Sequence, residues 1–67
     1  MKIVLNNRPE EFYHEQLTVQ ELLDIKKFTF KMLIIRINGN IVKKEQYNSS
    51  VIHDGDDVMV LHLISGG

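Results

Sequence analysis

Thr18 and Glu21, spaced as T-x-x-E, constrain this chain more than any other feature of it. The threonine hydroxyl can accept from the backbone N–H of Glu21 while the glutamate carboxylate accepts from that of Thr18, which satisfies two donors that a helix start leaves orphaned. A helix therefore begins at Val19. Leu17 before the cap and Leu22 in the first turn are spaced as a hydrophobic staple, and Val19, Leu22, Leu23 and the stem of Lys26 follow an i, i+3, i+4, i+7 stripe. Lys26 and Lys27 suit the negative pole of the helix dipole. The helix is short and has one apolar face, so it needs a second layer to pack against.

The rest of the chain supplies that layer as strands. Lys2 to Asn6 is rich in apolar and β-branched residues and runs into the turn formers Asn6, Asn7, Arg8 and Pro9, after which Glu10 to His14 reads as a returning strand. Beyond the helix, Leu33 to Ile37 reads as a strand, Asn38-Gly39-Asn40 as a tight turn, and Ile41 and Val42 as the resumed strand. Phe28, Phe30 and Met32 alternate on the parity opposite to Leu33, Ile35 and Ile37, so a bend or bulge is expected near Met32. Lys43 to Ser50 is polar apart from Tyr47 and reads as a loop or a single helical turn. Val51 and Ile52 lead to the turn cluster from His53 to Asp57, and a last strand runs from Val58 to Ile64. The expected order is strand, strand, helix, strand, strand, strand: an α+β fold with one helix across one mixed sheet of four to five strands, in a single domain over residues 1–67.

Several functions are disfavoured by what the chain is made of. Its 67 residues leave no room for a deep cavity walled by its own core. A formal net charge of −1 gives no electrostatic case for nucleic acid or an anionic membrane. With no cysteine there is no disulfide scaffold, thiolate nucleophile or Cys-ligated zinc site, and a reducing cytoplasm suits the chain. The apolar run Ile3-Val4-Leu5 is far shorter than a membrane span or a signal-peptide core. His14, His53 and His62 lack the spacing of a metal pair, and Asp54, Asp56 and Asp57 read as turn chemistry because the remaining oxygen ligands of a calcium loop are missing. No glycine-rich loop runs from a strand into a helix and no nucleophile motif is present, so no catalytic residue, metal site or bound cofactor is expected.

The stretches Lys2 to Asn6, Thr18-Val-Gln-Glu-Leu-Leu23, Ile37-Asn-Gly-Asn-Ile-Val42, Glu45-Gln-Tyr47, Asp54-Gly-Asp-Asp-Val58 and the terminal Gly66-Gly67, in that order, resemble the thiamine-pathway sulfur carriers of the ThiS family. These are related to the small molybdopterin-synthase subunit and, more distantly, to ubiquitin. The likeness spans essentially the whole chain. It departs from the family pattern at Lys43 and Lys44, where members often carry Pro then Arg, and at Tyr47, where they often carry Trp. The molybdopterin subunits are somewhat longer, which favours the thiamine branch. A ubiquitin-like β-grasp fold is what the resemblance implies.

Taken alone, Ser65, Gly66 and Gly67 would read as an ordinary frayed end. An alternating apolar strand nevertheless runs up to Ser65 before two glycines, which makes residues 65–67 a thin flexible stalk reaching about 10 Å. The α-carboxylate of Gly67 is ionised at neutral pH and is no acylating agent until something activates it. The resemblance implies that activation: an E1-like, ThiF-like adenylating enzyme joins Gly67 to AMP using ATP, and a cysteine-derived persulfide, supplied by a cysteine desulfurase or similar donor, displaces AMP. The resulting thiocarboxylate would serve a ThiG-like thiazole synthase. Along the last strand Met59, Leu61 and Leu63 face one way and Val58, Val60 and Ile64 the other. One helix covers one side only, so Met59, Leu61 and Leu63, with Ile34 from a neighbouring strand, are expected to form an exposed partner-binding patch. The competing readings are another sulfur-transfer route, a ubiquitin-like modifier or interaction module that carries no sulfur, and, against the mixed charge, a small nucleic-acid-binding domain.

Overall fold

The computed structural model describes residues 1–29 and 31–63. Strand β1 (Lys2–Leu5) pairs antiparallel with β2 (Arg8–Glu11), and the two residues between them, Asn6 and Asn7, have φ of 51° and 67°. A two-residue hairpin whose twist matches its strands needs positive φ at both central positions, and asparagine tolerates this better than most residues. The second strand thus begins earlier than the expected Glu10 to His14, with Pro9 inside it opposite Val4. Proline is tolerated there because β2 is an edge strand, where the missing N–H need not remove a ladder bond. Phe12 follows the strand half-buried against the core, and Tyr13 is fully exposed.

Helix α1 (Val19–Ile25) starts where the capping box places it. The N–H of Glu21 donates to Thr18 Oγ1 at 3.1 Å and the N–H of Thr18 donates to Glu21 Oε1 at 2.9 Å. The bonds from Thr18, backbone first and hydroxyl second, hold the Glu21 carboxyl below its usual range. At the other end Lys26 is the C-cap and Lys27 follows at φ 57°, with its N–H bonded to Asp24 O and that of Phe28 to Leu23 O. That pair of bonds is a Schellman motif closed by a lysine where glycine is usual. Lys26 does not sit in the last helical turn: its Nζ reaches Glu10 Oε2 at 2.9 Å and ties the helix end to β2.

Beyond the helix the chain bends at residues 31–32, so the parity switch expected near Met32 is made before the strand begins. Strand β4 (Leu33–Ile37) turns through Asn38 and Gly39, at φ 51° and 85°, into β5 (Asn40–Val42). A single 3₁₀ turn over Lys44–Gln46 follows. Strand β7 (Asp57–His62) lies between β1, to which it runs parallel, and β4, to which it is antiparallel, giving a mixed sheet ordered β2-β1-β7-β4-β5. Ile64, expected at the end of this strand, lies outside the described residues, as does Phe30.

The expected order omits two elements. β3 (Gln16–Thr18) and β6 (Val51–His53) pair antiparallel as a separate two-stranded sheet, so that Thr18 both ends a strand and caps the helix. Each is three residues long, too short for alternation to announce it, and each depends on a partner over thirty positions away. The core is shared between Ile3, Leu5, Ile35, Val42, Val58 and Val60 of the main sheet, Val19, Leu22 and Leu23 of the helix, and Leu17 and Ile52 of the small sheet. The helix covers one face of the sheet. The other face has no layer of secondary structure over it among the described residues.

Candidate functional site

The uncovered face is defined by register. Because Ile35 pairs with Val60 and Ile37 with Val58, all facing the core, the alternate rows face outward: Ile34 opposite Leu61, and Arg36 opposite Met59. Arg36 also pairs with Ile41 of β5, and Val4 of β1 lies beside Asp57. Ile41 is 63% exposed, Val4 39% and Leu61 37%, whereas Ile34 and Met59 are half-buried among their neighbours. The structure thus brings Met59, Leu61 and Ile34 onto one surface. Leu63, also exposed, lies just past β7, and its N–H continues the pairing by donating to Met32 O at 3.0 Å.

Three members of this surface are absent from the sequence-based patch. Val4 and Ile41 carry the same signal as Leu61, an apolar residue on the parity opposite to buried neighbours (Ile3 and Leu5, and Val42). Arg36 carries no hydrophobic signal, and only its register between Met59 and Ile41 reveals where it lies.

The start of β7 is held from both sides by the hairpin asparagines. Asn6 Oδ1 accepts from the N–H of Val60 at 2.7 Å, and the N–H of Asn6 donates to Val58 O. Across the strand, Asn38 Oδ1 accepts from the N–H of Asp57 at 2.9 Å, and its Nδ2 donates to Asp56 Oδ1 at 3.1 Å. Each turn residue thus tolerates positive φ and also pins the strand that leads toward residue 67. Ser65, Gly66 and Gly67 lie outside the described residues.

A groove of about 580 Å³ opens beside Leu63, floored by Leu23, Phe28 and Tyr47 and rimmed by Lys31, Lys43 and Lys44. Partial burial pushes the Tyr47 phenol above its usual range. Among the described residues no group of three or more His, Asp or Glu side chains is placed to hold a metal ion, and no helix is long and apolar enough to cross a membrane.

The chain matches the model of the ThiS family over residues 3–67. It belongs to the ThiS family. It is similar to the sulfur carrier protein ThiS of Escherichia coli (strain K12), with 31% identity over 67 residues and full coverage of both chains. It is also similar to the sulfur carrier protein ThiS of Bacillus subtilis (strain 168), with 29% identity over 63 residues, 94% of this chain and 96% of that one. A crystal structure of the thiamine biosynthesis protein ThiS from Geobacter metallireducens superposes with a TM-score of 0.89 at 29% identity, covering all of both chains. A solution NMR structure of the Geobacter protein gives 0.82, covering all of this chain and 88% of that one. The five-stranded mixed sheet with its single helix is the β-grasp fold of ThiS.

Proposed function

We infer that this chain is a sulfur carrier in thiamine biosynthesis, a substrate and not a catalyst, whose reactive group is the Gly67 carboxylate. The observation that carries this reading is that the ThiS family match runs through residue 67 and so includes Gly66 and Gly67. An E1-like adenylating enzyme holds ATP. The Gly67 carboxylate oxygen attacks the α-phosphorus and pyrophosphate leaves, giving an acyl-adenylate with an electrophilic carbonyl. The terminal sulfur of a cysteine-derived persulfide attacks that carbonyl and AMP leaves, giving an acyl disulfide. A thiolate then attacks the donor sulfur of that disulfide, which frees the Gly67 thiocarboxylate and leaves a new disulfide on the donor side. Sulfur is the softer nucleophile, and a thiazole synthase consumes it.

In this scheme the chain's own contribution is presentation. A glycine pair keeps the carboxylate free of side-chain bulk, so that it can enter a narrow active site. The outer face of β7 and β4, through Met59, Leu61 and Ile34, with Leu63 beyond the strand, docks the body against the partner. Such chemistry belongs in the cytoplasm, where free thiols are maintained.

Intact-mass measurement tests the reading. After incubation with ATP, the adenylating enzyme of the same organism and a cysteine desulfurase with cysteine, the chain should gain about 16 Da by exchange of oxygen for sulfur at the activated carbonyl. A chain lacking Gly67 should gain nothing. An unchanged mass beside an adenylating enzyme shown to be active on another carrier would overturn sulfur carriage and leave a ubiquitin-like interaction module.

A further inference from the structure

The outer face carries a cation where an apolar docking surface would be expected to be uniform. Arg36 sits between Met59 and Ile41 in one cross-strand row, next to the row of Ile34 and Leu61. Its side chain is exposed, and among the described residues that side chain makes no hydrogen bond or ion pair, whereas Lys26 is paired with Glu10. A partner that covers this face with apolar side chains alone would strip water from the guanidinium and give it nothing in return. A carboxylate offers the planar, bidentate match that guanidinium favours.

We propose that Arg36 is a specificity residue of the docking face, and that the adenylating enzyme presents an aspartate or glutamate, ringed by apolar side chains, directly against it. This rests on the reading of the chain as a substrate of such an enzyme. The carboxylate form of the tail is what that enzyme acts on, and β7, which helps build the face, precedes the tail in the sequence. Met59, opposite Arg36, is eight residues before Gly67, which puts the carboxylate within about 28 Å of this row. A body docked through Arg36 therefore keeps the terminus within reach of one active site. A second copy of the chain docked on this face would cover the strand from which the tail leaves. Arg36 sets affinity through one buried charge pair, while Leu61, Ile41 and Ile34 supply apolar contact that any partner of similar shape would accept.

The test measures, by calorimetry, the affinity of the full chain for the adenylating enzyme of the same organism, using wild type, Arg36→Gln, Arg36→Glu and Leu61→Ser. Melting curves should show all four folded, because the altered side chains are exposed. Arg36→Gln should weaken binding about 10-fold and Arg36→Glu about 100-fold. Wild-type affinity should also fall more steeply with salt than that of Arg36→Gln. If Leu61→Ser weakens binding and Arg36→Glu does not, the role of Arg36 is overturned and the docking face stands. If neither does, both are overturned. The same titrations run against the thiazole synthase, and sedimentation of each chain alone, complete the test: a loss confined to either of these overturns the assignment to the adenylating enzyme. None of these outcomes bears on sulfur carriage, which the mass gain at Gly67 decides separately.

Discussion

Lys27 occupies a backbone conformation that suits another residue. At φ 57° its Cβ crowds the neighbouring carbonyl, a cost of roughly 1–2 kcal/mol that glycine does not carry, although glycine gives back part of the gain through the entropy of the unfolded chain. Its side chain is exposed and its backbone bond to Asp24 does not depend on it. Lys27→Gly should therefore stabilise the protein by about 0.5–1 kcal/mol, seen as a rise in Tm of about 4 °C. Other residues owe their position to purely local chemistry. Thr18 and Glu21 were readable in the sequence because both bonds of a capping box close within four residues.

Elements were legible in proportion to how locally they are determined. The helix start and the Asn38-Gly39 hairpin are written into adjacent residues, and both are where the sequence puts them. The first hairpin is one strand too tight for a sequence reading: Pro9 is a turn former by habit and a strand residue here, because tertiary structure leaves β2 at the edge. β3 and β6 could not be read, since neither is a strand without the other. On the candidate face, Met59, Leu61 and Ile34 followed from alternation, whereas Arg36, Val4 and Ile41 required the cross-strand register. The strand that unites them depends on its two asparagine clamps. Asn6→Gly keeps the positive φ but strips the acceptor from the part-buried N–H of Val60, which should cost about 1–3 kcal/mol. Asn6→Asp retains an oxygen there and should cost less. Amide exchange at Val60 reads the difference, with protection falling most in the glycine variant.

The whole molecule has little stability to spare. At roughly 0.05–0.15 kcal/mol per residue, a chain of this size holds about 3–10 kcal/mol against unfolding. Ile35, fully buried between Val42 and Val60, joins the helix-facing rows of β5 and β7. Ile35→Ala should remove about 2–5 kcal/mol, enough to bring urea unfolding close to zero denaturant. One position along the same strand lies Ile34, whose row partner on β7 is Leu61; Leu61→Ser should cost less than about 1 kcal/mol of stability. The buried core and the exposed candidate face thus lie on opposite sides of a single sheet, and substitutions can address one without the other.

The parallel pairing of β1 with β7 also decides how the molecule meets mechanical force. Tension applied between Lys2 and His62 pulls these neighbouring strands past one another along their length. Their bonds, Val4 N–H to Asp56 O and Asn6 N–H to Val58 O, are then loaded together, not opened one after another as at a hairpin's end. A body pulled between these two residues resists extension as a shear joint, with both bonds sharing the load in a protein that is otherwise small and only marginally stable.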